Sequence, residues 1–377
     1  MRLQTIAAGC LLVLSFVLSS CSNPAPAETS SGFPETGTKE TAAFSETTTE
    51  STTASSSTRV STAPVTMTTL KSPKKGGHKF KTHVLSDIYR KAYGPGFEED
   101  FFSYCNAVLN IKDSVRLKDR ANYIRCRRAI KTCLPVADIY VINFDSDEEE
   151  KKTDEADNKN GTYKLEYSVP KAEIPALIKN FKARVKKLID SCCSENDTPL
   201  EKALALYMEE STRLSYDFSS EENPTRKLSV YSALMEDCAI CQEIAGAYAY
   251  LLLQVGIDAT TCSAIDHGGN YGHEWTVVKL GDNYYHCDVT SQTQEKLSLR
   301  YFGMNDAKRE SEGDYDPASF NFATINEIYH DDFPIDDKAF EPLWKARFYM
   351  INHKNDTLYC FENTNNEGDP YLKMPLK

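Results

Sequence analysis

Hydrophobic residues recur at two different spacings along the chain, and the spacing separates predicted helices from predicted strands. Apolar positions three and four residues apart predict amphipathic helices over Phe97–Leu109 and Ile174–Ile189. A third such stripe follows Cys241 and stops at Gly256, a residue type that commonly ends helices. Cys241 is therefore predicted to lie at or near a helix N-terminus.

Alternation of apolar and polar residues predicts three strands directly after that helix. These strands are Asp258–Ile265, His273–Leu280 and Tyr284–Thr290. Gly281 and Asp282 have the chemistry of a tight hairpin turn between the last two strands. If the turn has two residues, Trp275 faces Asp288, and His273 is a diagonal neighbour of Asp288 on the same face. A three-residue loop would put His273 and Asp288 on opposite faces.

Strands are also predicted on either side of this central region. The predicted strands are Asp138–Phe144, Thr162–Val169, Arg347–Ile351 and Thr357–Phe361. The first two flank the acidic stretch Asp145–Asp157, which we interpret as a solvated loop, with binding of cations or basic partners as the alternative. The last two predict a hairpin that completes the central sheet. Residues 78–195 are predicted to form an accessory α+β domain, and residues 196–377 a second domain that contains this sheet.

The first 77 residues lack a globular pattern. Residues 1–21 combine a short basic start, an apolar run and the sequence Leu18-Ser19-Ser20-Cys21, which is similar to the lipobox of bacterial lipoproteins. Cleavage before Cys21 would make it a lipid-bearing N-terminus, so the protein is expected on the extracellular face of the bacterial cell membrane. Simple secretion with an incidental Cys21 is the alternative. Residues 22–77, rich in Ser and Thr, have too few apolar side chains to fold and predict a disordered tether.

Composition limits the classes of partner. The 377-residue chain is 41% hydrophobic, enough for one or two cores. Its formal charge of −12 argues against nucleic acid or anionic lipid as a partner, because both require clustered Lys and Arg. Of the 12 cysteines, Cys10 leaves with the signal peptide and Cys21 takes lipid. Export permits disulfides among the rest, and the sequence fixes neither their pairing nor the oligomeric state.

Candidate chemistry lies in residues 238–290. A thiol, an imidazole and a carboxylate follow one another there as Cys241, His273 and Asp288. A helix N-terminus stabilises a thiolate, moving a thiol pKa from about 8.5 toward roughly 3.5–7.5. The three residues therefore predict a nucleophile, a base and an orienting acid that attack an amide carbonyl and form a thioester. The Cys241 N–H is the first candidate oxyanion donor and Tyr231 a second.

The same residues resemble a known family. Cys241-Gln242, Gly256-Ile257, His273-x-Trp275 and the Tyr-Tyr-x-x-Asp-Val-Thr run at residues 284–290 resemble the transglutaminase-like superfamily. Glu201–Asp217 is similar to the helix and Tyr-Asp that precede the cysteine in bacterial members. The resemblance extends over roughly residues 200–305.

This resemblance implies an α+β, papain-like core in which a nucleophile helix packs on an antiparallel sheet. It implies a Cys-His-Asp peptidase, amidase or transglutaminase that acts on a protein or a cell-wall peptide. It implies no cofactor and no metal for the chemistry, although some relatives use calcium for regulation. The chain departs from the family at Glu243, where many members have a small residue, so the shape and charge of the cleft are expected to differ there.

Other interpretations of the same residues remain open. Cys238 and Cys241 form a Cys-x-x-Cys, which also occurs in redox dithiols and zinc sites. Zinc could take further ligands from His267 and His273, or from Cys262 and Cys287. A Cys238–Cys241 disulfide could also silence the enzyme. Trp275 could either wall an acyl groove or pack in the core. The whole chain could be a non-catalytic surface binding or adhesion lipoprotein that retains the transglutaminase-like fold. A third interpretation is an adhesion or scaffold lipoprotein whose function lies in the accessory domain, residues 78–192.

Overall fold

The computed structural model describes residues 77–142, 161–221, 228–269, 271–323, 328, 330–352, 355–362 and 372–376. Its α-helices are α1 Asp87–Tyr93, α2 Pro95–Leu109, α3 Asn122–Cys133, α4 Pro135–Tyr140, α5 Ile174–Cys192, α6 Pro199–Arg213, α7 Val230–Met235, α8 Cys241–Val255, α9 Val289–Gln294 and α10 Asp306–Ser311. Its strands are β1 Ser114–Arg116, β2 Thr162–Lys164, β3 Ser215–Tyr216, β4 Cys238–Ala239, β5 Ala259–Ile265, β6 Gly272–Leu280, β7 Asn283–Cys287, β8 Asn321–Phe322, β9 Ala346–Asn352, β10 Thr357–Glu362 and β11 Leu372–Pro375.

Several predictions fall outside these residues. The signal peptide, Cys21, the tether up to residue 76 and the acidic stretch Asp145–Asp157 are among them. Within the described ranges, no helix combines the length and the apolar character needed to cross a membrane.

A four-stranded antiparallel sheet forms the centre of the fold. Its strand order is β7-β6-β5-β8. Helix α8 packs across β5 and β6, and the Thr276 hydroxyl of β6 donates a hydrogen bond of 2.8 Å to the Ala245 carbonyl in the first turns of α8. The predicted α+β core, with the cysteine helix on an antiparallel sheet, is confirmed.

Helix α8 is enclosed on all sides. Its residues from Glu243 to Gln254 are all buried, because α3, α5, α6, α7 and α9 cover the faces that the sheet leaves. The apolar stripe expected on one face is thus part of a helix that is apolar all round, as a buried helix must be. Gly256 ends it in the left-handed conformation, at φ +87°, as predicted.

Residues 78–195 are tied directly to the helix of Cys241 and to the residue that precedes β5. The Gln254 side chain accepts a hydrogen bond from the Lys81 N–H at 2.9 Å and donates one to the Lys81 carbonyl at 2.8 Å. Asp258 accepts from the Asp87 N–H at 2.8 Å. The described residues all belong to one compact unit. The boundary after residue 195 stays a prediction about independent folding.

One predicted strand is wrong. Asp138 lies in helix α4, which starts at Pro135, and among the described residues 138–142 only Val141 makes a β-bridge, to Tyr167. Proline at the first helical position favours helix, and an alternating pattern this short also fits a small buried helix. Asp138 is buried there and accepts a hydrogen bond of 3.2 Å from the Ser229 hydroxyl. The short β2 retains the start of the predicted strand Thr162–Val169.

The C-terminal hairpin is confirmed, but its predicted place is wrong. Strands β9 and β10 pair with each other and with β11 in a separate three-stranded sheet of order β11-β10-β9. This sheet meets the rest of the fold through the Ser298–Arg347 bridge and a hydrogen bond of 2.8 Å from the Leu299 N–H to the Ala346 carbonyl. It therefore does not extend the central sheet.

A close helix contact offers a test of this packing. A Cβ at Gly246 of α8 would lie 2.2 Å from a methyl carbon of Val230 in α7. Gly246→Ala should therefore destabilise the fold by about 1–2 kcal/mol, since an overpacking cost of about 2–3 kcal/mol outweighs the roughly 1 kcal/mol of helix propensity gained.

The double variant Gly246→Ala/Val230→Ala provides the control. Urea denaturation of the wild type, the two single variants and the double variant should show that the double variant loses less than the sum, by about 1 kcal/mol or more. Strictly additive losses would contradict the contact.

Candidate active site

The turn between β6 and β7 has two residues. Leu280 pairs with Asn283, and the register continues to Thr276 opposite Cys287. Gly281 takes φ +65°, a conformation that glycine adopts without steric cost. The next facing pair along this register is Trp275 and Asp288, so His273 and Asp288 are diagonal neighbours, as predicted.

His273 and Asp288 are in direct hydrogen-bonding contact. The His273 Nε2 lies 2.9 Å from the Asp288 Oδ2. The same Oδ2 accepts hydrogen bonds of 2.7 Å from the Ser291 hydroxyl and 2.7 Å from the Arg309 Nη1, and Oδ1 accepts one of 3.0 Å from the Ser291 N–H. The Asp288 side chain has 0% exposure. Four donors thus satisfy a carboxylate that water does not reach.

The predicted third strand ends earlier than expected. It stops at Cys287, and Asp288 caps helix α9, which begins at Val289. Asp is a common cap because its side chain accepts from the first N–H groups of a helix, here that of Ser291. Because it caps the helix, Asp288 is held just beyond the end of β7 and does not continue the hydrogen-bonded ladder of that strand.

The surroundings of Asp288 keep it ionised. Burial alone would raise the pKa of Asp288, but the charge and hydrogen bond of His273, the charge of Arg309 and the Ser291 N–H together bring it well below its usual range. An ionised carboxylate is an acceptor only. The proton in the His273–Asp288 contact therefore belongs to His273 Nε2, which leaves Nδ1 as the ring atom for further proton exchange.

Cys241 is the first residue of α8, as predicted, and is buried. Ile240 before it is extended, at φ −96° and ψ 172°, and continues β4, which pairs in parallel with β3. The first N–H groups of a helix have no acceptor within it, so the thiol lies at the positive end of α8.

One helix–strand contact lies four residues after Cys241 and three residues after His273. That contact is the hydrogen bond between the Thr276 hydroxyl and the Ala245 carbonyl. Cys241 precedes Ala245 by about 6 Å of helix, and His273 precedes Thr276 by about 10 Å of strand.

Glu243 caps the start of α8. Its two carboxylate oxygens accept hydrogen bonds from the Ser229 N–H at 2.9 Å and the Ile240 N–H at 3.1 Å, and the residue is only 1% exposed. The departure from the family pattern at Glu243 suggested a cleft of different shape and charge. The carboxylate is instead buried and is not on an exposed cleft surface. It joins α7 to the beginning of α8 instead.

The geometry opposes a disulfide between Cys238 and Cys241. Cys238 lies in β4, and the chain stays extended until Ile240, so Cys238 is not one helical turn from Cys241. Three extended residues span about 10 Å between Cα atoms, whereas a disulfide needs less than about 7 Å. Closing that disulfide would require the entry to α8 to rearrange.

The candidate zinc ligands have other partners. His273 contacts Asp288, while His267 lies 3.8 Å from Glu310. Cys262 and Cys287 are buried thiols whose pKa is raised by desolvation, to about 12 for Cys287. The described part of the chain contains no group of three His, Cys, Asp or Glu side chains arranged to hold a metal ion.

Trp275 packs in the core behind His273. It is 1% exposed, with its ring centroid 5.8 Å from that of His273. Its indole N–H donates a hydrogen bond of 2.8 Å to His286 Nδ1. Of the two roles considered for Trp275, the structure supports core packing, which holds the His273 strand in place.

A second polar cluster, which the sequence did not reveal, supports Trp275. His286 Nε2 contacts Asp306 Oδ1 at 2.9 Å, and Asp306 Oδ2 accepts from His330 Nε2 at 2.7 Å and from the Ile335 N–H at 3.0 Å. Burial lowers the pKa of His286, and the bond to Asp306 raises that of His330. Asp306 also begins α10, the helix of Arg309. No spacing links these residues, because their proximity arises only in the fold.

Acid should weaken the cluster around Asp288. A carboxyl with a depressed folded-state pKa stabilises the fold above its unfolded value of about 3.9 and loses that contribution as the pH falls through its folded-state value. The unfolding free energy of the wild type should therefore fall more steeply below about pH 5 than that of Asp288→Asn.

Urea denaturation at a series of pH values measures both slopes. Asp332→Asn, which changes an exposed carboxylate, should keep the wild-type slope. Equal slopes for the wild type and Asp288→Asn would contradict an ionised Asp288 in the folded protein.

Known proteins provide an independent comparison. Residues 186–289 match the family model of the transglutaminase-like superfamily, a stretch that includes Cys241, His273 and Asp288. A proposed cysteine protease from Cytophaga hutchinsonii is similar at 17% identity, over 36% of this chain and 46% of that structure, with a TM-score of 0.24. A structure described as a TGase is similar at 13% identity, over 38% of this chain and 37% of that structure, with a TM-score of 0.26.

The chain thus spans less than half the length of either solved structure. No curated protein matches it. The family model covers the helix, the hairpin and the three residues from which the site is built. Residues 186–289 thus form a domain of the transglutaminase-like type.

Proposed function

We propose that the protein is a cysteine enzyme that forms a thioester on Cys241 from an amide of a protein or a cell-wall peptide. The acyl group then passes to water or to an amine, which corresponds to a peptidase, an amidase or a transglutaminase. One observation carries this proposal: the 2.9 Å contact between His273 and Asp288, in a hairpin that packs on the helix beginning at Cys241.

His273 is the proposed general base. Its Nε2–H is bound to Asp288, so Nδ1 is free of that contact and can take the proton of the Cys241 thiol. Asp288 holds the ring in this tautomer and stabilises the imidazolium that results. The helix N-terminus adds a favourable potential for the thiolate.

The proposed reaction runs through a tetrahedral intermediate. The Cys241 sulfur bonds to the amide carbon, and the electron pair of the C=O bond moves to the oxygen, where the N–H groups at the start of α8 can stabilise it. The C–N bond then breaks, and the leaving amine takes the proton from His273. Water or a second amine attacks the thioester, gives its proton to His273 and regenerates the thiol. Tyr231 is a weaker candidate for the oxyanion, because its ring stacks on Phe181 of α5.

The alternative function, a non-catalytic binding or adhesion lipoprotein, has lost its specific support. It depended on Glu243 crowding the cleft beside Cys241. The carboxylate of Glu243 accepts from two backbone N–H groups and is almost completely buried, so it does not oppose substrate entry from an exposed position.

We also propose that the enzyme is anchored outside the cell through lipid on Cys21. Residues 22–77 would then act as a tether with an average reach of roughly 40 Å. Cys21→Ala should move the protein from the membrane fraction to the medium or leave it as uncleaved precursor, and mass spectrometry of the N-terminal peptide should detect acyl chains only in the wild type. Unmodified Cys21 in the wild type would contradict the anchor.

Cysteine reactivity tests the proposed nucleophile. We expect iodoacetamide to alkylate Cys241 rapidly well below pH 8, at least about tenfold faster than Cys238, because only Cys241 lies at the proposed imidazole and helix terminus. His273→Ala should slow the alkylation of Cys241 by a similar factor. Peptide mass spectrometry of the full chain in detergent measures each cysteine between pH 5 and pH 9.

Two comparisons make the outcome specific. His267→Ala removes a neighbouring imidazole that pairs with Glu310 and should leave the Cys241 rate unchanged. Cys262 and Cys287 should stay slow, since burial raises the pKa of both thiols. If Cys241 reacts no faster than Cys238, the enzyme proposal fails and the binding lipoprotein becomes the better hypothesis.

The acyl acceptor can be identified in the same preparation. A protein substrate incubated with a labelled primary amine should gain label if the enzyme is a transglutaminase. It should be cleaved if the enzyme is a peptidase, or gain a carboxylate if it is an amidase. Cys241→Ala should abolish whichever product appears.

A further inference from the structure

Resting on the proposed function, we infer that Arg309 is a positioning residue for the His273–Asp288 pair and limits how strongly Asp288 stabilises the imidazolium. The Arg309 Nη1 donates a hydrogen bond of 2.7 Å to Asp288 Oδ2, the oxygen that also contacts His273 Nε2 at 2.9 Å. The Arg309 side chain is only 2% exposed. A permanent cation thus shares one carboxylate oxygen with the proposed base.

Two aromatic rings hold the guanidinium in place. Its carbon lies 4.8 Å from the ring centroid of Trp275 and 5.1 Å from that of Tyr315. Both rings also lie beside His273, at centroid distances of 5.8 Å and 6.1 Å. Cation–π contact compensates in part for the loss of water around the charge. Arg309 and His273 are therefore fixed by the same two rings as well as by the same oxygen.

The helix that carries Arg309 is anchored at its first residue. Asp306 accepts from His286 of β7 and from His330, and its own N–H donates a hydrogen bond of 2.7 Å to the Ile335 carbonyl. Asn305 caps the helix by accepting from the Lys308 N–H at 2.9 Å. Strand β7 leads directly to Asp288, so α10 is held to the same strand that positions the carboxylate.

Charge balance gives Arg309 a function beyond packing. When His273 is neutral, a buried Asp288 with no other cation would be an unpaired internal charge, which is strongly unfavourable. Arg309 supplies that cation in every protonation state of His273. The carboxylate stays ionised before and after proton transfer, and the Nε2–H tautomer persists in the resting enzyme.

The other titratable groups that face Asp288 do not supply charge. The Tyr207 hydroxyl donates to its carbonyl at 3.2 Å, and Tyr301 and Cys287 also lie close enough to interact with it. Burial raises the pKa of Tyr207 well above its usual value and that of Tyr301 and Cys287 to about 12, so all three are neutral between pH 5 and 9. In the part of the chain that the structure describes, the cations that contact the carboxylate are therefore Arg309 and, when protonated, His273.

The test compares Arg309→Gln with the wild type by alkylation with iodoacetate. This anionic reagent is attracted by the imidazolium beside the thiolate, so its rate at Cys241 falls at high pH when the imidazolium loses its proton. Removing the competing cation should move that falling limb to higher pH by about one unit. Arg309→Lys keeps the charge and should leave the limb near its wild-type position. An unmoved limb in Arg309→Gln, or one at lower pH, would overturn the inference.

Arg300→Gln is the matched control. Arg300 belongs to the loop before α10 and pairs with Glu312 and Glu295, without contact to Asp288, so its loss should not move the limb. If Arg309→Gln does not fold, Arg309→Lys carries the test. If the fall in the alkylation rate of Arg309→Lys were displaced by a full pH unit, the positive charge at residue 309 would not be what sets the pH dependence of Cys241 alkylation.

Proton NMR of the full chain in a Cys241→Ala background separates this inference from the proposed function. The hydrogen-bonded His273 Nε2 proton can be followed there without any thiol chemistry. In Arg309→Gln it should move downfield and persist to higher pH, because Asp288 Oδ2 has one fewer donor. An unchanged resonance would overturn the role of Arg309. If the resonance shifts but Cys241 in the parent chain is unreactive, the role of Arg309 stands and only the proposed enzyme function is rejected.

Discussion

A buried carboxylate organises the candidate active site. Asp288 has no contact with solvent, and a charge in that position is tolerated only when donors and cations surround it. The partners come from three separate elements: His273 from β6, Ser291 from α9 and Arg309 from α10. Each element must keep its place for the others to remain satisfied. The carboxylate thereby links the hairpin, the short helix that follows it and a helix further along the chain.

The central helix imposes a second constraint. Because α8 is surrounded by the sheet and by other helices, its small residues, such as Ala245, Gly246 and Ala249, permit close approach on several sides. A buried Glu243 would be unfavourable in such a helix, but its carboxylate accepts hydrogen bonds from the backbone N–H groups of Ile240 and Ser229. The same enclosure fixes the start of the helix, and with it the position of Cys241. Rigid placement of a nucleophile is what an acyl-transfer site needs.

Much of this arrangement follows from local sequence. Gly281-Asp282 sets a two-residue turn, and the period of two along each strand then brings His273 to Asp288. Gly256 and the apolar run before it define α8. Local patterns failed where tertiary contacts decide: Asp138 lies in a helix and pairs with Ser229, which is distant in sequence. Arg309, Asp306 and His330 belong to no motif, and only the folding of the segment after residue 289 brings them to Asp288 and His286.

The stretch that matches the family model ends earlier in the chain than the residues that balance the charge of Asp288 and the residues that hold these in place. The family match stops at residue 289, one position after Asp288, whereas Arg309, Asp306, His330 and Ile335 all follow it. A fragment trimmed to the match would keep the thiol, the imidazole and the carboxylate but would leave a buried anion without its permanent counterion. Transplanting this site into another protein therefore requires the segment up to about residue 335 as well.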